Sequence, residues 1–140
     1  MIGPFGKSPK VSHNARAVVT GAGSGIGAAF AIELANRGSR VVCSDIDEVA
    51  AKRTVTAITD RGGEAVAIGC DVTQLDDVVD LAAQSQSWFG AAPTLVINNA
   101  GVGSGGAPIG ELPIEDWHWV LSRSSGAVTV VATTSGLAPG

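Results

Sequence analysis

Apolar and polar positions along the chain switch between two periods. Four short β-rich runs, "ARAVVT" (15–20), "RVVCS" (40–44), "EAVAIG" (64–69) and "PTLVIN" (93–98), are separated by stretches in which apolar residues recur at helical spacing. The first such stretch, 25–37, places Ile26, Phe30 and Leu34 at i, i+4 and i+8, and Gly38 stands where a helix C-terminus is expected. The second, from about Asp47 to Arg61, carries Ala51, Val55 and Ile58 on one face and stops at Gly62-Gly63. In the third, Thr73 and Asp76 fit a capping box, Leu75, Val78, Val79 and Ala82 make an apolar stripe, and Gly90 ends the helix. Strand and helix in regular alternation predict an α/β fold with a parallel sheet.

Beyond residue 100 the regularity weakens. "GVGSGGAPIGE" carries five glycines and reads as a flexible loop, covering about 102–112. "PIEDWHWVL" starts a helix with Pro113 at its first position and acids in its first turn, and "AVTVVAT" (127–133) reads as a fifth strand. Residues 1–13 read as a flexible N-terminal segment, and no internal repeat or charge run breaks the chain.

Size and composition narrow the picture. At 140 residues, 45% hydrophobic and 16% charged, the expectation is one domain spanning 1–140 with a real core. The net charge is −4 and the lysines are Lys7, Lys10 and Lys52, so no basic stripe exists to neutralise a nucleic-acid backbone. No apolar run has the length of a signal-peptide core or a membrane span, which leads us to expect a soluble, cytoplasmic protein. Cys43 and Cys70 lie at the ends of β-rich runs and read as small buried hydrophobes; neighbouring parallel strands would also allow a pair, which a cytosolic setting disfavours.

The stretch "VVTGAGSGIG" (18–27) carries the chemistry. Gly21 lets the strand turn sharply, Gly25 lets a pyrophosphate approach the backbone, and Gly27 lets the following helix pack close to the sheet. The helix N-terminus adds free N–H groups and partial positive charge. The same stretch matches G-x-G-x-x-A from Gly23 to Ala28, so the register stays open on this motif alone. Asp45, 18 residues after Gly27, is placed to accept hydrogen bonds from an adenosine ribose. A carboxylate there repels a 2′-phosphate, and no Arg or Lys follows it directly, which predicts NAD rather than NADP. Asp71-Val72 ends the third strand and "NNAG" (98–101) the fourth. All of these fall at carboxyl ends of strands, where open α/β sheets bind ligands.

"TGAGSGIG" (20–27), "DV" (71–72) and "NNAG" (98–101), in that order and spacing, resemble the short-chain dehydrogenase/reductase family over about residues 14–121. The resemblance implies a Rossmann-type, doubly wound parallel sheet of about five strands. It implies an oxidoreductase that moves hydride between a nicotinamide cofactor, here NAD, and an alcohol or carbonyl. By the same resemblance Gly21, Gly25 and Gly27 line the pyrophosphate, Ser24 and Ile26 contact it, Asp45 holds the ribose, and Asp71 and Val72 frame the adenine. Asn98, Ala100 and Gly101 pass beside the cofactor, with Asn98 or Asn99 tying neighbouring strands. The family's "EDW" helix start is similar to Glu115, Asp116 and Trp117; Trp117, Trp119 and Val120 read as packing residues.

The resemblance fails where the family carries its catalytic groups: an Asn on the helix after "EDW", a Ser after the fifth strand, then Tyr-x-x-x-Lys. Here Val120-Leu121 runs directly into "SRSSGAVTVVATTSG", an internal deletion on this reading, with truncation after it. Thr133 falls at the family's Ser position, with Ser135 a competing alignment, and a hydroxyl at a strand end also serves nearby backbone. No tyrosine is present and no lysine follows Lys52. His118 lies among tryptophans with no partner legible in sequence. The expectation is therefore NAD(H) binding without turnover by this chain alone, the alternative being a non-catalytic NAD-binding or interaction module or an inactive remnant. The apolar fifth strand, exposed at its edge, predicts self-association.

Overall fold

The computed structural model of the chain describes residues 10–100. Within them the order is β1 (Arg16–Thr20), α1 (Gly25–Asn36), β2 (Arg40–Asp45), α2 (Glu48–Thr59), β3 (Glu64–Gly69), α3 (Leu75–Phe89) and β4 (Leu95–Ile97). The strands form one sheet in the order β3-β2-β1-β4. All pairings are parallel, with Val18 opposite Val42 and Val96, and Val42 opposite Val66. This is the expected Rossmann-type arrangement. The fifth strand, the Gly-rich loop, the helix from Pro113, and with them Gly101, His118 and Thr133, lie outside the described residues.

The two-residue period of each strand divides the core between the faces of the sheet. Ala17, Val19, Val41 and Cys43 face Ala31 and Leu34 of α1 and Ala51 and Ile58 of α2. Val18, Val42 and Ile68 face Val78, Leu81 and Phe89 of α3. Near-continuous apolar strands such as "AVV" and "VVC" are what burial on both faces demands. Cys43 and Cys70 belong to opposite faces and are free thiols, so adjacent strands do not bring them together.

Helix faces depart from the expected stripes at two places. In α1 the buried residues are Gly27, Ala31 and Leu34, while Ile26 is 69% and Phe30 45% exposed. The helix is apolar nearly all round, so periodicity does not choose its face. Close approach to the sheet does, and it favours Gly and Ala. In α3 the buried side chains are Val78, Leu81, Ser85 and Phe89, and Leu75 and Val79 lie exposed.

The Thr73–Asp76 capping box does not form. Asp71 Oδ1 instead accepts the Thr73 N–H at 3.0 Å and the Thr73 hydroxyl at 2.7 Å, a local Asx-type turn that outcompetes the cap. Gln74 occupies the N-cap without a side-chain bond. By contrast Asp47 caps α2, accepting the Ala50 N–H at 3.1 Å, and Gly90 ends α3 in the left-handed conformation. β4 is shorter than the apolar run 93–98; at its entrance the Thr94 hydroxyl accepts the Arg16 N–H at 3.0 Å and the Thr94 N–H donates to the Arg16 carbonyl at 2.9 Å.

Candidate functional site

Every strand of a parallel sheet delivers its carboxyl end to the same side. Four chain segments meet there, after β1, β2, β3 and β4, and enclose a cleft of about 280 Å³ lined by residues from each. Among the residues singled out in sequence, Gly21, Ser24, Asp45, Asp71, Val72 and Ala100 line it. Gly25, Ile26 and Gly27 continue the β1 turn into α1 without lining the cleft, and Asn98 is exposed beside it.

The turn after β1 is built by close backbone approach. Gly21 has φ +67°, and a Cβ on it would stand 2.9 Å from Asn99 Nδ2 and 3.0 Å from Ala100 Cα. A Cβ on Gly27 would overlap the Gly21 carbonyl oxygen. Both positions therefore require glycine, one for conformation and one for space. Gly25 faces open space, with nothing within 4 Å of where its Cβ would be.

Sequence reasoning missed the hub of this turn. Thr20, 1% exposed, accepts the N–H groups of Asn99 at 3.1 Å and Ala100 at 3.0 Å and donates toward the Ile97 carbonyl at 3.4 Å. Asn99, rather than Asn98, ties the strands: its side-chain amide donates to the Gly21 carbonyl at 3.3 Å. On the other flank the Ala22 N–H donates to the Ser44 carbonyl, and the Thr54 hydroxyl donates to the Ala22 carbonyl at 2.7 Å. A hydroxyl at the last buried position of a strand entering a glycine turn is the signal that marks Thr20.

At the end of β2 the Asp45 carboxylate is held by two backbone donors. Oδ2 accepts the Gly23 N–H at 2.8 Å and Oδ1 the Asp47 N–H at 2.9 Å. Ionised carboxylate oxygens accept further bonds, so the group remains able to receive a ligand diol. At the end of β3 the Asp71 N–H donates to Asp77 Oδ2 at 2.9 Å, fixing the Asp71-Val72 corner against α3.

Cys70, also in the lining, was read from sequence as core alone. Burial first, then the nearby Asp77 and Asp71 charges, push its thiol up to about 11, while Ser44 acts in the opposite direction. Burial pushes Cys43 up to about 12. Both are protonated at neutral pH, which excludes them as thiolate nucleophiles there. Among the described residues the lining contains two carboxylates and no Lys, Arg or His. Among the described residues no His/Cys/Asp/Glu group could hold a metal ion.

The short chain dehydrogenase family model matches residues 15–137. The chain belongs to this family.

The chain is 41% identical over 103 residues to the CLA biosynthesis dehydrogenase/reductase of Lactiplantibacillus plantarum, covering 74% of this chain and 35% of that one. It is 43% identical over 102 residues to the 7alpha-hydroxysteroid dehydrogenase of Escherichia coli, covering 73% and 39%. Among solved structures, a short-chain dehydrogenase/reductase from Burkholderia phymatum in complex with NAD superposes with TM-score 0.79 at 35% identity, covering 91% of this chain and 45% of that one. The hydroxysteroid dehydrogenase of Escherichia coli superposes with TM-score 0.77 at 31% identity, covering 89% and 53%. The chain thus spans between about a third and about half of these proteins. No helix among the described residues is long and apolar enough to cross a membrane.

Proposed function

We propose that the cleft at the carboxyl ends of the strands holds the adenosine and pyrophosphate portion of NAD(H), preferred over NADP(H). On this reading the chain is a single dinucleotide-binding domain of an oxidoreductase that transfers hydride between that cofactor and an alcohol or carbonyl. The observation that carries the proposal is the Asp45 carboxylate, held in the cleft lining by two backbone N–H groups with no basic side chain among the described lining residues.

The remaining residues fit the same ligand. The Gly21–Gly27 turn leaves backbone exposed where a phosphate would meet the start of α1, and Gly25 leaves that approach open. Ser24 and Ile26 border the same approach, Asp71 and Val72 border the adenine position, and Asn98 and Ala100 lead toward the nicotinamide; Gly101, the next residue in the sequence, is proposed for the same role by its place in the motif alone. Bound NADH would supply the hydride; this chain's residues would bind and orient it and exclude NADPH by charge repulsion at Asp45.

The test is calorimetric titration of the 140-residue chain with NADH and with NADPH, repeated on Asp45→Arg. NADH should bind more tightly, and the substitution should erase that preference. Equal affinities in the unaltered chain overturn the assignment. The absence of tyrosine from the 140 residues favours a second reading, a non-catalytic NAD-binding module. NADH binding without turnover distinguishes it from an active dehydrogenase.

A further inference from the structure

Gly23 lies in the same turn, yet the pyrophosphate glycines leave it without a role. It is half-buried and meets two groups from the next crossover. Its N–H donates to Asp45 Oδ2 at 2.8 Å. A Cβ on it would stand 2.7 Å from that same oxygen and 2.7 Å from the Ala50 methyl in the first turn of α2. The two neighbours differ in how they can yield. Ala50 is 6% exposed and fixed to α2, whose N-terminus is capped by Asp47, so its methyl moves only with the helix. The Asp45 carboxylate is the free end of a side chain and yields by rotating about its χ angles.

We propose that Gly23 is a positioning residue that sets the preference for NAD over NADP by holding the Asp45 carboxylate in its cleft-facing orientation. The inference rests on the cofactor reading above and adds a residue to it. Glycine here does two things for Asp45: it supplies a donor to Oδ2, and it leaves the volume that the carboxylate occupies. The Asp47 N–H fixes the other oxygen, so the carboxylate plane is set before a ligand arrives, and a ribose diol meets acceptors already aimed. A side chain at 23 turns the carboxylate away, removing both the attraction for a diol and the repulsion of a 2′-phosphate.

The experiment compares NADH and NADPH affinities by calorimetric titration for the unaltered chain, Gly23→Ala, Asp45→Asn and the combined Gly23→Ala/Asp45→Asn, each with a thermal melt. Gly23→Ala is expected to lower the ratio of NADH to NADPH affinity by about tenfold or more, the scale of a hydrogen bond to a charged group. In the Asp45→Asn background the same substitution should leave the ratio unchanged, because the residue acts through the carboxylate. If Gly23→Ala alone does not fold, Gly23→Ala/Ala50→Gly removes the methyl contact and keeps the carboxylate contact, and the ratio should fall as before. An unchanged ratio in the folded variant, or effects that add in the double variant, overturns the inference while leaving the cofactor reading intact. Failure of the unaltered chain to bind either nucleotide overturns both.

Discussion

The Thr20 hydroxyl accepts the Ala100 N–H at 3.0 Å, joining the end of β1 to the end of β4 across 80 positions of sequence. The same oxygen accepts the Asn99 N–H, so one buried atom sets the height of the β4 exit above the glycine turn. Thr20→Val keeps the shape and removes the acceptor. It should cost about 1–3 kcal/mol, the penalty of leaving buried donors unpaired, and lower the melting temperature. NADH affinity should fall with it, since Gly21 and Ala100 both border the cleft. Denaturant titration and calorimetry on the same variant measure the two effects.

Gly27→Ala should be worse than its single methyl suggests. The added Cβ lies 2.5 Å from Asn99 Nδ2, a side-chain end, but it also meets the Gly21 carbonyl of the turn itself, which is backbone and cannot rotate aside. Overpacking of this kind costs about 1–3 kcal/mol or more, and the displaced turn should abolish measurable NADH binding. Gly25→Ala meets no atom and should be milder in packing, although its φ of +56° still strains an alanine. A melt and a titration on each variant rank the two.

How far the sequence disclosed this arrangement depended on where local pattern and tertiary packing agreed. The strands were legible because burial on both faces leaves continuous apolar runs, as at Val41-Val42-Cys43. Asp45 and Asp71 were legible because strand ends in an open parallel sheet share one side. The buried face of α1 was not: Ile26 and Phe30 are the larger apolar residues, Gly27 and Ala31 sit at an equally helical spacing with Leu34, and only the closeness of the sheet decides between the two faces. Thr20 and Gly23 were not legible as site residues because their partners, Ala100 and Asp45, lie 80 and 22 positions away.

The buried thiols predict a stability decline in alkali. Cys43 is raised from 9.0 to about 12 by burial, and Cys70 from 9.0 to about 11. Above pH 9 the unfolded chain loses thiol protons that the folded chain keeps, so the unfolded state binds fewer protons and stability falls with rising pH. The contribution is whole below pH 9 and is lost as pH rises through about 11 to 12. Cys43→Ala should flatten this fall in denaturant titrations between pH 8 and 11, at some cost in stability at neutral pH. An unchanged slope would place the alkaline sensitivity elsewhere.

Turnover by the 140 residues should be absent. Hydride acceptance by a carbonyl needs a positioned proton donor, and the family's tyrosine has no counterpart in a chain without tyrosine. Loss of a general acid lowers rates by about 10²- to 10⁴-fold. An NADH-absorbance assay over ketones, aldehydes and secondary alcohols, with Gly21→Val as the control for host dehydrogenases, should read background. Robust turnover that vanishes in the control would contradict this and direct attention to Thr133 and His118.

Amide chemical-shift mapping of the isotope-labelled chain during NADH titration decides whether the strand-end cleft is the nucleotide site. The amides of Gly23, Ser24, Ile46, Val72 and Ala100 should shift together and saturably. A second, smaller hollow of about 140 Å³ is lined by Gly38, Gly62 and Gly63 with Arg40 and Glu64, and the amides of those three glycines should stay fixed. Shifts confined to that hollow, or none at saturating NADH, would contradict the assignment.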